Sequence, residues 1–572
     1  MHWIDWLVVA VYCLISLVLG VILTRKASQG MESYFAGNRK ITWWLAGTSI
    51  AATAFSSDTP LLVTGITRLK GLWGNWEIWA LATSTMLAVF FFSRLWKRTG
   101  VLTEVEFAEI RYAGKPASFL RGFKALYWGL FYNVFIIGAW PITGLVKVMQ
   151  ETTGWSKALS IIFCLGLAAT YTSLSGYMGV VLTDFFQFMW AMMGAVILAI
   201  FALQAVGGPA GLVEKLSSSD PTKLSLFPPE QMTSWFLGLI LIQWWAWKNS
   251  DGGGIAVQRM VSCKDEKESM LSMLWFNIVH YAFRSWPWVV TALASLILIP
   301  DSSLMITEAG KTFVDHERAY PRLISLLLPI GLRGVLVASF FAAFMSTVDS
   351  QLNWGASYLM NDFYKRFLKK NASQHHYIFV SRMIPFFLAA CAAGVAFYIQ
   401  SIGQIFTFVL NLTAGVGPVF LLRWFWWRVN AWSEIAAMSA SLPLILFRSQ
   451  FFSALGIPPD PILQLLYMVF GTALFWAPVT LLTPPVSEDA LQKFAARVSP
   501  PGFWAEKGGW QKEGSFWVSN LKLWGVAVLA LYATLIGPLE ILLGKPFLGI
   551  PACLLALGTW FWVWVMFKYS KN

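Results

Sequence analysis

Gln243-Trp-Trp-Ala-Trp-Lys248-Asn-Ser-Asp251-Gly252-Gly253-Gly254 sets a lysine, an aspartate and three consecutive glycines inside a segment otherwise suited to a membrane helix. A helix is not expected to continue smoothly through it. Unwound backbone at membrane depth is tolerated only where it is buried in protein or lines a cavity, and its freed carbonyls coordinate cations. A second stretch, Ala51-Ala-Thr-Ala-Phe55-Ser-Ser-Asp58-Thr59-Pro60, breaks an apolar run in the same way, its proline removing a helix hydrogen bond. These interruptions fall in the second and the seventh apolar spans, five apart. Corresponding breaks in two five-helix halves are the sequence mark of an inverted-repeat secondary transporter with its sites near the bilayer midplane.

The rest of the chain fits that frame. With 57% hydrophobic and only 12% charged residues over 572, it is excluded from the soluble globular class. Runs of about 20 apolar residues, enough to cross a bilayer, recur from residue 3 to residue 567 and leave no room for a separate soluble domain. The expectation is one all-α polytopic domain, residues 1–572, with about fifteen transmembrane helices; 323–360 and 432–453 are each taken as a single span. Residues 206–231 and 300–322 read as external loops with room for short helices, and 484–516, rich in proline and charge, as a partly helical cytoplasmic loop.

The net charge of +13 is not spread as a nucleic-acid-binding surface. Arg25, Lys26, Arg39 and Lys40 follow the first span, Arg94, Lys97, Arg98, Arg111 and Lys115 the third, and Lys365, Arg366, Lys369 and Lys370 the ninth. Loops on the other side carry far fewer. The positive-inside rule then puts the basic loops in the cytoplasm, the N-terminus outside, and the C-terminus, with Lys568 and Lys571, inside. The first span lacks a basic leading region, carries Asp5 early and ends in Thr24-Arg25-Lys26, so it reads as an uncleaved helix. Five cysteines and five histidines show no metal-ligand, disulfide or triad spacing.

One run carries hard oxygens: Ala343-Phe-Met-Ser346-Thr347-Val-Asp349-Ser350. At about 100° per residue, Ala343, Ser346, Thr347 and Ser350 fall within about a third of the helix circumference, with Asp349 beside them. Hydroxyls alone often bond back to their own helix or glue neighbouring helices. A carboxylate at membrane depth costs about 2.5–3.5 kcal/mol on insertion scales and ordinarily faces an ion or substrate path. Sodium, a hard cation, suits such a face.

Further motifs run in order along the chain: Ser33-Tyr-Phe-Ala-Gly-Asn-Arg-Lys-Ile-Thr-Trp-Trp44, Tyr171-Thr-Ser-Leu-Ser-Gly176, Thr183-Asp184-Phe-Phe-Gln187, Val257-Gln-Arg259, Met345-Ser-Thr-Val-Asp-Ser-Gln-Leu-Asn353, Asp362-Phe-Tyr-Lys-Arg366 and Phe425-Trp-Trp-Arg-Val-Asn430. Together they resemble the sodium/solute symporter family. The resemblance implies a LeuT-type five-plus-five inverted repeat, with residues 3–24 as an extra N-terminal helix, 41–206 and 233–423 as the two halves, and 432–567 as C-terminal accessory helices. It also implies a main sodium site made by the carbonyls of Ala52, Phe55 and Ala343 and the hydroxyls of Ser346 and Thr347. A second sodium, present in some members, maps to Asp184, Ser346, Asp349 and Ser350; the alternative is that Asp184 holds a proton or a hydrogen-bond network without an ion.

For the solute, Glu77 resembles a sugar-binding glutamate of the glucose and galactose branch, and Arg284 falls where that branch has a lysine. An intramembrane arginine offers a planar fork of donors to hydroxyl or carboxylate oxygens; the other reading of Arg284 is a structural ion pair, with Glu77 a candidate partner. Thr59, Gly253 and Gly254 stand at substrate-facing positions where the sugar branch carries polar groups, a departure that removes contacts expected for a hexose.

The reading is therefore a sodium-coupled symporter that imports a small polar solute by alternating access, in the cell (inner) membrane. Its partners are sodium, the solute and the lipid bilayer, with no nucleic acid and no obligate protein partner. Sugars or sugar acids lead, and amino acids or other small carboxylates are the alternative. An enzyme is disfavoured because no nucleophile, base or metal set converges, and ATP-driven pumping because no phosphate-binding loop is present. A sensor needs an output module, and a channel needs no coupled solute.

Overall fold

A computed structural model describes residues 1–27, 39–174, 177–308, 310–458, 460–502, 504 and 514–569. Ser33–Asn38 of the first quoted motif, Ser175 and Gly176 of the second, and Lys571 lie outside the described residues.

The chain is almost wholly helical. In order it forms α1 (Trp3–Ala27), α2 (Trp43–Thr53), α3 (Thr59–Lys70), α4 (Leu72–Thr99), α5 (Gly114–Thr153), α6 (Lys157–Leu174), α7 (Tyr177–Val206), α8 (Gly208–Ser219), α9 (Thr233–Gly238) and α10 (Gly254–Ser262). There follow α11 (Glu266–Asn277), α12 (Ser285–Leu298), α13 (Ala319–Leu327), α14 (Leu332–Leu368), α15 (Gln374–Ala396), α16 (Ile402–Phe425), α17 (Ala431–Leu446), α18 (Pro461–Leu482), α19 (Glu488–Val498), α20 (Gly514–Leu542) and α21 (Pro546–Tyr569). Among the described residues, nine helices are long and apolar enough to cross a membrane, or ten when α17 and the short helix after it, Arg448–Ala454, bent from one another by 61° within the expected 432–453 span, are counted as one, against the fifteen expected. Large apolar side chains such as Phe186, Met189 and Ile200 on α7 and Leu554, Leu557 and Phe561 on α21 are exposed, as expected where lipid is the solvent.

Both expected breaks are present. α2 ends at Thr53 and α3 begins at Thr59, with Pro60 in its first turn. Proline stands there without loss, because the first helical amides have no partner in any case. On the other side, α9 passes through a π-helical stretch, Leu239–Gln243, and backbone without helix runs to Gly253. Gly252, Gly253 and Gly254 have φ of 105°, 33° and 54°, a left-handed run that side chains with a Cβ rarely adopt.

Two sequence expectations are corrected. The 323–360 run is two helices, because Pro329 and Gly331, the latter with φ of 89°, end α13 and start α14 afresh. Asp5 of α1 caps that new start, its Oδ1 accepting from the amides of Gly331 at 2.7 Å and Gly334 at 3.0 Å. The 300–322 loop has the short helices expected, Asp301–Leu304 and His316–Arg318, but between them an unexpected β-hairpin, β1 (Met305–Glu308) pairing antiparallel with β2 (Lys311–Val314) in the register Met305 to Val314. The 484–516 segment is partly helical as expected: α19 buries Leu491, Phe494, Ala495 and Val498.

Candidate substrate and ion site

The gap between α2 and α3 lies against α14, joined to it by three hydrogen bonds, with a fourth inside α14. Ser346 Oγ donates to the carbonyl of Ala52 at 3.1 Å and to that of Ala343 at 3.2 Å. Thr347 Oγ1 donates to the carbonyls of Thr53 at 2.9 Å and Phe55 at 3.3 Å. The five residues expected at the main ion site are thus brought together, with the Thr53 carbonyl, which sequence reasoning missed, as a further oxygen. Ligand oxygens at about 2.3–2.6 Å from a hard cation stand roughly 3.3–3.6 Å apart at right angles. The donor set is all oxygen and the spacing needs only a small expansion, so the residues present fit sodium.

Gly144 of α5 lets the break approach this closely. A Cβ there would lie 2.5 Å from the Asp58 nitrogen and 2.6 Å from its Cα.

The residues expected at the second ion position form a different arrangement. Asp184 of α7 accepts from Ser49 Oγ at 2.5 Å, and Thr53 Oγ1 lies 2.9 Å from Ser350 Oγ. The guanidinium of Arg259, from α10, donates to Ser350 Oγ at 2.6 Å and to Ser49 Oγ at 3.1 Å and stands 3.5 Å from the Asp184 carboxylate. Asp184, Ser49, Ser350 and Arg259 are all buried. Arg259 therefore brings a cation of the protein itself to Asp184. Ser346 is turned toward Ala52 instead, and Asp349 is buried on the same helix. The Gln258-Arg259 pair was quoted as a motif, but nothing in the sequence joins residue 259 to residue 184.

Beside the ion position a cavity of about 280 Å³ opens between the two broken spans, α5, α14 and α16. Thr59, Arg284, Gly253 and Gly254, expected at the substrate, all line it, as do Thr53 and Thr347. Thr59 Oγ1 accepts from the Ser56 amide at 3.2 Å and so holds the break in shape. Arg284 Nη1 donates to the Ala51 carbonyl at 2.9 Å and Nη2 approaches His280 Nε2 at 3.1 Å, while the guanidinium lies over the rings of Phe55 and Trp288.

Glu77 is not brought to this cavity. It forms an ion pair with Lys70 across the turn that joins α3 to α4, and lines a separate pocket with Trp235 and Gln243. Pairing of Arg284 with Glu77 is excluded for the same reason. Lys248, Asp58, Gln351, Trp140 and His280 line the cavity and were not expected at the substrate. The signal for Lys248 was present, a lysine within an interrupted apolar run, but it was read only as part of the unwound backbone.

Toward the basic loops the cavity is backed by a buried network of hydrogen bonds and ion pairs. Glu104 Oε2 accepts from the Gly254 amide at 2.6 Å and from Tyr358 OH at 3.1 Å. Behind it Arg423 pairs with Asp251 at 2.5 Å and with Glu434 at 3.5 Å, and Lys124 reaches Glu434 at 2.9 Å. On the opposite side Glu317 accepts from Lys147 at 2.7 Å and from the amides of Ile402 at 3.1 Å and Gly403 at 2.9 Å, at the start of α16.

Residues 34–441 match the family described as "Sodium:solute symporter family". The chain is 26% identical over 559 residues to the sodium/myo-inositol cotransporter of Bos taurus, covering 88% of this chain and 76% of that protein. To the sodium/glucose cotransporter of Vibrio parahaemolyticus it is 25% identical over 521 residues, covering 86% and 92%. Its backbone superposes on the substrate-bound, outward-open state of a Na+-coupled sialic acid symporter with a TM-score of 0.69 at 21% identity, over 85% of this chain and 99% of that one. The broken spans, the oxygen cluster beside them and these likenesses lead to one conclusion: the chain belongs to the sodium:solute symporter family and is a multi-pass, sodium-coupled membrane transporter, not an enzyme.

Proposed function

We propose that this protein imports a sugar or sugar acid across the cell membrane with sodium held by the carbonyls of Ala52, Thr53, Phe55 and Ala343 and the hydroxyls of Ser346 and Thr347. The observation that carries the reading is the convergence of the α2–α3 break on Ser346 and Thr347 at the wall of the 280 Å³ cavity. Sugar relatives, among them the inositol and glucose cotransporters, support the solute class. Orientation follows the charge of the loops, with α1 starting outside and α21 ending in the cytoplasm. The two halves, 41–206 and 233–423, enclose the site, and 3–24 and 432–567 support them.

Mechanistically, sodium ties α14 to the unwound end of α2, and that same stretch receives Arg284 from the cavity. Sodium binding therefore fixes the backbone that orients a solute-facing cation, and by linkage the solute tightens sodium by the same factor. Asp184 acts in this reading as the partner of Arg259, and one sodium accompanies each turnover. Sodium-dependent uptake into proteoliposomes tests the assignment. The Ser346→Ala/Thr347→Ala double variant raises the half-saturating sodium concentration at least tenfold, with a smaller loss of solute affinity. An unchanged sodium dependence would sink the ion-site assignment.

A further inference from the structure

Three formal charges line the central cavity: Lys248 and Arg284, both positive, and Asp58, negative. All three side chains are at least nine-tenths buried, at 8%, 2% and 6% exposure. Among the described residues, no carboxylate lies within ion-pair distance of the Lys248 ammonium or the Arg284 guanidinium. Lys248 Nζ contacts Asn249 Oδ1 at 3.0 Å and sits against the faces of Tyr132 at 4.6 Å, Trp128 at 5.1 Å and Trp354 at 5.4 Å. Glu104, behind the Gly254 backbone, is already engaged by the Gly254 amide, Tyr358 and Arg423. On the cavity lining itself two buried cations stand against one buried anion, with Glu104 and Asp251 behind Lys248 sharing Arg423, and sodium arriving next door adds a further positive charge. A buried charge left unpaired is strongly destabilising.

Other polar atoms of the lining residues are also unspent. Asp58 Oδ1 and Gln351 Oε1 are buried acceptors without a donor, and Trp140 Nε1 and Arg284 Nε are buried donors without an acceptor. His280 Nδ1 joins the donors. A guanidinium only donates, so His280 Nε2 accepts from Arg284, and the neutral ring carries its proton on the unpartnered Nδ1. A buried polar group left without a partner is destabilising. A solute with several hydroxyls, which both donate and accept, suits a lining that mixes donor and acceptor side chains, and the rings of Trp140, Trp354 and Phe406 give it flat walls. At 280 Å³ the cavity is at the small end of ligand sites, which run from about 300 to 1,000 Å³, and suits one small solute.

We infer that the solute is an anion, a polyhydroxylated carboxylate of hexuronate size whose negative charge is balanced by Lys248 and Arg284 and whose hydroxyls meet Asp58 and Gln351. The inference rests on the symport reading above and narrows its solute class. A neutral hexose leaves the excess positive charge in place, and so does an amino-acid zwitterion, whose single ammonium also leaves the scattered hydroxyl-binding groups unmet.

The test is a thermal-shift titration of the purified full-length protein with matched pairs: glucose and glucuronate, galactose and galacturonate, mannose and mannuronate, with proline and serine as zwitterions, each in sodium and in potassium. The expected result is that at least one hexuronate raises Tm in sodium only, at a concentration at least tenfold below that of its neutral partner. Lys248→Met then weakens that hexuronate tenfold or more and shrinks the gap between acid and neutral sugar. Lys248→Gln repeats the measurement, and Tm in sodium without solute checks that either variant is folded. A neutral sugar or a zwitterion binding as tightly as any hexuronate would overturn the inference, and so would a panel in which no hexuronate acts. The symport reading fails separately, if sodium without solute leaves Tm no different from potassium in the parent and in the Ser346→Ala/Thr347→Ala variant alike.

Discussion

Arg259 shows how a single side chain redirects a site. Its guanidinium reaches Ser49 and Ser350 and stands 3.5 Å from Asp184, so the carboxylate is matched by a charge that never leaves the protein. Removing one member of a buried pair costs about 3–5 kcal/mol, because the other is left uncompensated. Arg259→Met is therefore expected to lower the apparent melting temperature sharply, and Asp184→Asn in the same chain to restore part of the loss. Additive damage in that double variant, measured by thermal denaturation in detergent, would show that the two residues are not coupled. At this scale the sequence was legible where chemistry is local. Ser346 and Thr347 stand out because a carboxylate, Asp349, accompanies them on one arc of an apolar helix. Glu77 was misplaced because its real partner, Lys70, lies seven residues away across the Gly71 turn, and a helical pattern carries no hint of that turn's geometry. Arg259 and Asp184 come together only through packing of α10 against α2 and α7, which no spacing rule encodes.

At the scale of elements, the two breaks were the most readable features of the chain, since glycine and proline act on the backbone directly. What holds a break against its neighbours was not readable. Gly144 is an example: it is one glycine of a long apolar helix until a Cβ is built on it and meets Asp58. Gly144→Ala is expected to push the break off its seat, with about 1–3 kcal/mol of overpacking and a loss of sodium-driven uptake of tenfold or more. Gly394→Ala on α15, where a Cβ has nothing within 4 Å, serves as the matched control and is expected to leave uptake unchanged. Equal uptake in both variants would show that the seating of the break is not critical. The split of the 323–360 run was signalled by Pro329 and Gly331, but length and hydropathy outweighed them in the reading.

For the whole molecule, the two polar clusters that flank the cavity are the expected points of closure in the transport cycle. Glu104 and the Arg423 cluster stand on the side of the basic loops, while Glu317 fastens the start of α16, whose Phe406 lines the cavity. Alternating access requires that these closures loosen in turn. Glu317→Ala removes the acceptor for two backbone amides and Lys147, so the outer closure is expected to open more often. In a background without the five native cysteines, Phe406→Cys would then react several-fold faster with a membrane-impermeant thiol reagent added outside. An unchanged labelling rate would mean that Glu317 only stiffens the loop. This level was the least legible in the sequence, because both clusters join residues more than eighty positions apart.

The bond from Arg284 to the Ala51 carbonyl has a consequence for the fidelity of transport. Ala51, Ala52 and Thr53 are successive residues, the first answering to the cavity and the next two to the ion position. An ion that crosses without cargo must move this stretch while Arg284 still grips it from the empty side. With sodium at the proposed position, slippage is expected to depend on the strength of this one hydrogen bond of 2.9 Å as well as on the closures of the cavity. Variation at position 284 is where a tightly geared member of this fold and a leaky one are expected to differ.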